Sequence, residues 1–326
     1  MSTGTDDDAA IVRGIAFLAR RQQPDGGFSN LFWYADQPPL EVANVFPAAL
    51  IAHSLGFVPE GREVRERALD FLAAEASPEG VWEHWTSNDP NREFLPPDVD
   101  DTACASAVLR DAGRPVPPNE GLLLANRDPN GLFYTWFTWR PRWSGLAHLR
   151  LIWPQLAHAG ALWRLFTRTV CSIWNVDAVV NANARFYLGA RPETAAIPPY
   201  LVDILERDAE AECDTWYSNR FFVWYFFARA LAPAHERAGA LMRRKLAAAT
   251  PRTPLEAATA QCARLYWDMA PDESLAAFLR ATQLESGAWP AEQFYIGKDC
   301  YWGSEALTTA FALEALGRER RRAKPA

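Results

Sequence analysis

Three carboxylates stand within four positions of this 326-residue chain. Asp98, Asp100 and Asp101 lie in Pro-Pro-Asp-Val-Asp-Asp-Thr (96–102), directly before the small and apolar run Ala-Cys-Ala-Ser-Ala-Val-Leu. Carboxyls crowded this closely do not all ionise once they are shielded from water, so at least one shares or holds a proton. A helix N-terminus favours the charged form, whereas burial and neighbouring negative charge favour the protonated one. A dry, protonated carboxyl is the kind of acid that protonates an alkene or an epoxide. Pro97 and Thr102 favour helix initiation whatever the chemistry. Residue type alone does not choose between Asp98 and Asp100 as the donor. The same segment also reads as a capped helix start with acids in its first turn.

A cation made by such an acid needs surroundings that stabilise positive charge without attacking it, and aromatic faces do this. Aromatic residues form 13% of the chain, with 14 Trp, and they recur in clusters: Phe32-Trp33-Tyr34, Trp216-Tyr217, Tyr266-Trp267 and Tyr301-Trp302. Trp216, Tyr217, Tyr301 and Trp302 are candidate cavity residues, with core packing as their plain alternative. Asp177, Asn181 and Arg185 recur at i, i+4, i+8 and so share one helix face. That face is either a polar pocket wall or an ordinary polar seam. His53 and His84 are candidates for orienting an aspartate.

Residues 134–176 stand apart. They carry five Arg and two His with no Asp or Glu, and six of the Trp residues. Three readings fit: an extra helical pair packed on the main body, a grip for an anionic group such as a diphosphate through Arg140, Arg142 and Arg150, or a surface that dips into a membrane.

The elements that position these residues follow from a repeat. The segments 13–28, 67–82, 120–133 and 274–289 each end a helical pattern at a polar turn and then Gly-x-aromatic or a close variant. A second helical stretch follows each turn. Inner helices are expected near 41–55, 100–113, 177–189, 218–231, 254–268 and 303–317, and outer ones near 9–22, 63–76, 119–126, 197–208, 235–247 and 272–283. Little favours strands. Six helical hairpins that cannot bury their faces alone predict an all-α, (α/α)6 toroid over residues 1–326, as a single domain with an Arg- and Trp-rich helical insertion at 134–176.

Charge and composition set limits. A net charge of −7 and a pI near 5.4 argue against nucleic acid as a partner. Five scattered cysteines without CxxC pairing suit reduced thiols. The acidic start is unlike a signal peptide, and no apolar run reaches the roughly 18 residues of a spanning helix. The expectation is a cytoplasmic protein, at most peripheral to a membrane. No metal site is expected, since Asp299-Cys300 lacks the Asp-x-Cys spacing and following His of the zinc-dependent prenyltransferase toroids.

The repeat is clearest in Phe278, Leu279, Gln283, Gly287 and Trp289, and it resembles the QW motif of terpene cyclases. Gln22, Gly26 and Phe28 match it with Phe for Trp; Ala76, Gly80 and Trp82 match it with the Gln lost. Asp98-Val99-Asp100-Asp101 is similar to the DxDD motif of class II, protonation-initiated cyclases, which include squalene–hopene cyclase and copalyl-diphosphate-type enzymes. The resemblance implies that Asp100 is the general acid, that Asp98 and Asp101 polarise and orient it, and that a polyprenyl substrate is cyclised without a redox cofactor. Mg2+ is implied only where that substrate carries a diphosphate. Familiar members use two such barrels and this chain has room for one, so the single barrel supplies the cavity itself or a second copy or partner subunit completes it. Two rivals stand beside this reading: a non-catalytic toroid binding a prenyl lipid or a partner, and an (α/α)6 glycoside hydrolase using Asp100 and Asp177.

Overall fold

In a computed structural model, described for residues 3–34, 37–140, 145–297 and 299–323, twelve helices alternate between an inner and an outer position. The outer helices are α1 (Thr3–Arg21), α3 (Arg62–Glu75), α5 (Glu120–Ala125), α9 (Ile197–Glu206), α11 (Glu236–Ala248) and α13 (Glu273–Thr282). The inner helices are α2 (Val45–Leu55), α4 (Val99–Asp111), α8 (Ala178–Leu188), α10 (Arg220–Leu231), α12 (Pro254–Tyr266) and α14 (Glu305–Ala323). Two further helices, α6 (Leu146–Ala157) and α7 (Ala159–Arg168), lie between α5 and α8. Each inner helix packs on the next, and α14 packs back on α2, so the ring is closed. Closure is what the repeat count by itself left as an inference.

The turns are held by side chains of the repeat. Trp82 and Trp289 are fully buried, and each indole N–H donates to the carbonyl ten residues back, Leu72 O and Leu279 O, both at 2.8 Å. Their own backbone N–H groups donate to Thr102 and Thr309 on the following inner helices. Gly287 turns at φ +89°, and a Cβ there would sit 2.4 Å from the Arg13 carbonyl, so both the angle and the space demand glycine.

The structure departs from the helical expectation in one place. Four short strands form an antiparallel sheet in the order β2-β1-β4-β3, with β1 at Ser29–Tyr34, β2 at Leu40–Ala43, β3 at Tyr295–Gly297 and β4 at Cys300–Gly303. The helices expected from 41 and 303 therefore begin at Val45 and Glu305. Pairing across 270 residues of chain supplies the backbone hydrogen bonds that local pattern does not reveal. Because successive residues of a strand face opposite sides, Trp302 and Tyr301 cannot share a surface.

The toroid axis is filled with aromatic rings. Tyr225, Phe226, Phe294 and Phe311 are buried and meet at centroid distances of 5.1 to 6.2 Å. Each buried ring contributes on the order of 2–3 kcal/mol to folding. At the C-terminal ends of the inner helices the axis is closed by a polar plug. Glu314 is fully buried there, accepting from Ser54 Oγ and Tyr225 OH at 2.9 Å and from Arg318 Nε at 2.8 Å. The Arg318 guanidinium lies 3.5 Å from the Phe57 ring centre and 3.8 Å from that of Tyr266. Only the N-terminal end is left open for a site. No helix of the described residues is long and apolar enough to cross a membrane.

Candidate active site

A cavity of about 620 Å³ opens at the N-terminal ends of α2, α4, α8, α10 and α14, a size typical of small-molecule sites. Its wall is mainly aromatic and aliphatic, with Phe46, Trp136, Trp216, Tyr295 and Trp302 among its residues. Asp98, Asp100 and Asp101 all line it. Their placement follows from the cap. Asp98 has extended backbone (φ −126°, ψ 162°), and its Oδ1 accepts from the Asp101 N–H at 2.7 Å. That bond starts α4 and turns Asp100 toward the axis.

The three carboxyls have different surroundings. Asp98 and Asp101 are buried, whereas Asp100 keeps partial exposure to the cavity. Burial raises Asp98 to about 7, with the Asp100 charge adding to the effect. Burial pushes Asp101 well above the usual carboxylate range, and the charges of Asp98 and Asp100 push it further. The bond between the two is made by the Asp101 N–H, and Asp101 Oδ2 is buried without a hydrogen-bond partner, which disfavours its charged form. Asp100 is raised by burial to about 6, against the pull of hydrogen bonds from Asn183 and Tyr217 and the charge of Arg229.

Asn183, absent from the sequence expectations, and Tyr217, expected there only as an aromatic cavity residue, complete the surroundings of Asp100. Asn183 Nδ2 donates to Asp100 Oδ1 at 2.5 Å, and Tyr217 OH donates to Asp100 Oδ2 at 3.2 Å. Behind Asn183, the buried Arg229 donates to Asn183 Oδ1 at 2.5 Å and to Cys104 Sγ at 3.3 Å, and its guanidinium packs on the rings of Phe186, Tyr225 and Phe226. Arginine has donors only, so the amide atom facing it must be oxygen and the atom facing Asp100 must be nitrogen. Asp100 Oδ1 is thereby an acceptor, and the acidic proton belongs on Oδ2. The only sequence signal for Asn183 was its place two residues beyond Asn181 on the third inner helix.

The aromatic candidates separate. Trp216, Tyr217 and Trp302 line the cavity. Trp302 stacks on Tyr295 (5.2 Å, 14°) across the β3–β4 pairing, and Trp216 meets Trp136 edge-on at 5.9 Å. Tyr301 lies on the other face of the sheet, stacked on Trp33 at 4.8 Å, and is not part of the cavity wall. Gly303 ends β4 so close beneath Glu292 that a Cβ would fall 1.7 Å from its carbonyl oxygen.

The helix face bearing Asp177 and Asn181 does not look into the cavity. Asp177 is buried and accepts from Thr135 Oγ1 at 2.5 Å, from the Thr215 N–H at 2.9 Å and from Thr215 Oγ1 at 2.7 Å. Asn181 brackets the backbone of Phe133 through both ends of its amide. Arg185 reaches Thr194. The face is a seam to the 133–135 loop and the turn before α10. It positions that turn, where Asp214 also accepts from the Trp216 and Tyr217 N–H groups. No carboxylate therefore stands across the cavity from Asp100 among the described residues.

The histidines do not orient an aspartate. His84 lines the cavity and pairs with Asn44 at 3.0 Å; burial lowers it to about 4, so its ring is neutral. His53 bonds Tyr266 OH at 3.1 Å, within the plug. The arginine expectation also moves. Arg140 is buried outside the cavity wall, donating to Ile173 O and packed on Tyr134. Arg150 is exposed, 3.9 Å from Glu79. Arg142 lies outside the described residues. Arg164 and Arg168, on the cavity side of α7, line the site instead. On α6, Leu146, Leu149, Trp153 and Leu156 are all exposed. Among the described residues no three His, Cys, Asp or Glu side chains converge as a metal site.

No protein-family model matches this chain, and no curated protein matches it. Solved structures do. A protein from Actinoplanes aligns at 19% identity with a TM-score of 0.67, over 96% of this chain and 99% of that one. The type II terpene cyclase MstE from Scytonema aligns in two variant complexes. With geranylgeranyl dihydroxybenzoate, its substrate, the identity is 17% and the TM-score 0.67, over 97% and 98% of the two chains. With merosterolic acid A, its product, the values are 16% and 0.69 over the same shares. The fold is the helical toroid of type II terpene cyclases. At these identities the likeness is one of fold. The matched type II cyclase has nearly the extent of this chain, so the barrel count gives no reason to separate the two folds.

Proposed function

We propose that this chain is a class II terpene cyclase in which Asp100 protonates a polyprenyl substrate. One observation carries the reading: a carboxyl with a raised pKa, one oxygen held by Asn183 and the other able to carry a proton beside the Tyr217 hydroxyl, faces an aromatic cavity. In the proposed reaction the proton on Asp100 Oδ2 passes to an alkene or epoxide of the bound chain. Asp100 becomes a carboxylate stabilised by Asn183, Tyr217 and the Arg229 charge. The cation moves along the chain as rings close, beside the aromatic side chains of Trp216, Trp302 and Tyr295. Loss of a proton ends the sequence, so the net change is an isomerisation. The buried Asp98–Asp101 pair fixes the start of α4, and burial keeps the proton on Asp100 until an alkene is presented.

The reaction needs no redox cofactor; Mg2+ enters only as a counter-ion where the substrate carries a diphosphate. The exposed apolar ridge of α6, beside a segment whose only charges are positive, supports contact with an anionic membrane surface. Co-sedimentation with anionic vesicles that survives Trp153→Glu would overturn that contact.

The test of the main reading is incubation of purified protein with farnesyl, geranylgeranyl and squalene-type substrates, comparing the native chain with Asp100→Asn. A positioned acid is worth about 10²–10⁴ in rate, so the variant should lose that much. Cyclised product formed at full rate by Asp100→Asn rules out Asp100 as the acid. Tight prenyl binding without turnover favours the non-catalytic reading.

A further inference from the structure

The wall that α7 presents to the cavity has a chemistry of its own. Ala161, Arg164, Leu165 and Arg168 line the cavity at helical spacing, so one face of α7 is turned inward. Arg164 and Arg168 are the only Lys or Arg among the described lining residues, and His84 is neutral. Among the described residues neither guanidinium has a carboxylate within ion-pair distance, and that of Arg168 lies 5.8 Å from the Trp163 ring centre. The whole 134–176 segment contains no Asp or Glu to neutralise them. Two like charges at i, i+4 repel unless an anion lies between them. Asn91 also lines the cavity and its amide can donate to an oxyanion.

From this we infer that Arg164 and Arg168 bind an anionic head group, a carboxylate or a diphosphate, carried by the prenyl substrate. The inference rests on the reading of the cavity as a prenyl site and adds the polarity of the substrate. The hydrocarbon tail lies among the aromatic rings and presents its reactive carbon to Asp100, while the head is held at α7. Guanidinium groups suit this role because their forked donors match both carboxylate and phosphate oxygens. The site sets binding and register: a head fixed on α7 determines which alkene of the tail reaches Asp100.

The test is binding rather than turnover, read from quenching of tryptophan fluorescence in the Asp100→Asn background. Three ligands are compared: uncharged geranylgeraniol, geranylgeranyl diphosphate, and a geranylgeranylated hydroxybenzoate as the carboxylate. At least one anion should bind about tenfold or more tighter than the alcohol at low salt. Arg164→Gln with Arg168→Gln should abolish that difference and leave the affinity for the alcohol unchanged. Whichever anion shows the preference identifies the head group. Equal affinity for all three ligands, or a preference that persists in the double variant, overturns the inference while leaving the prenyl reading in place. Failure of all three to bind overturns both. Both arginines are solvent-exposed, so the substitutions leave the fold intact; the unchanged affinity for the alcohol checks this directly.

Discussion

Asn183 donates to Asp100 across the gap between α8 and α4, and Arg229 on α10 dictates which end of the amide does so. Three inner helices thus meet on one carboxyl. Their charges and donors pull its pKa down, and burial pushes it up to about 6. In the proposed reaction Asp100 acts in its protonated form, so the rate should fall as pH rises through about 6. Arg229→Met removes the positive charge and frees the amide to turn its oxygen toward Asp100. Both changes favour the protonated form, so the falling limb should move to higher pH while the maximal rate drops, by about tenfold or more. Arg229→Lys keeps the charge and should keep the limb near its original place. A pH–rate profile that is the same in Arg229→Met as in the native chain would show that Arg229 only fills space.

The same raised pKa has a consequence for stability. An unfolded Asp titrates near 4, so between about 4 and 6 the folded chain binds more protons at Asp100 than the unfolded one does. Stability contributed by this residue is therefore largest below the unfolded pKa and is lost as pH rises through the folded one. Asp100→Asn removes a charge whose burial is costly at neutral pH. It should raise stability by on the order of 1–2 kcal/mol at pH 7.5 and give almost no gain at pH 4. Denaturant melts of the two proteins at both pH values measure this. A destabilised variant at pH 7.5 would mean that the charged carboxylate holds the α4–α8–α10 junction together more than its desolvation strains it.

Much of this was legible in the sequence because helical hairpins announce themselves locally. Gly-x-aromatic turns and apolar spacing place all twelve toroid helices to within a few residues at most ends, and the acidic cluster marks the start of α4. The sheet was not legible, because β1 and β4 are bonded across most of the chain and neither is long enough to show alternation. That gap explains the misplacement of Tyr301: strand alternation, not helix position, decides that Trp302 faces the cavity and Tyr301 the Trp33 side. Asn183 was hidden for a different reason. The phase of α8 is set by Asn181 and Asp177 gripping neighbouring loops, and no pattern within 177–189 says which polar face turns inward. The basic character of 134–176 was visible, but which arginines reach the cavity depends on how α7 folds over it.

That sheet geometry makes a sharp comparison possible between adjacent residues. Trp302 lines the cavity with its ring packed against Tyr295 and Phe32, while Tyr301 stacks behind the sheet on Trp33. A ring face near a developing cation contributes about 1–2 kcal/mol when water is excluded, enough to change the partition between further ring closure and early proton loss about tenfold. Trp302→Leu should therefore shift products toward partly cyclised species, with substrate consumption falling less than cyclisation does. Tyr301→Leu removes a similar area of aromatic packing from the same strand but no face from the cavity. It should leave the product ratio unchanged even if it lowers stability. Product ratios from the two variants, measured by gas chromatography on a common substrate, separate cation stabilisation from simple packing. Equal shifts in both would assign the effect to distortion of β4, and no shift in Trp302→Leu would remove Trp302 from the cation's path.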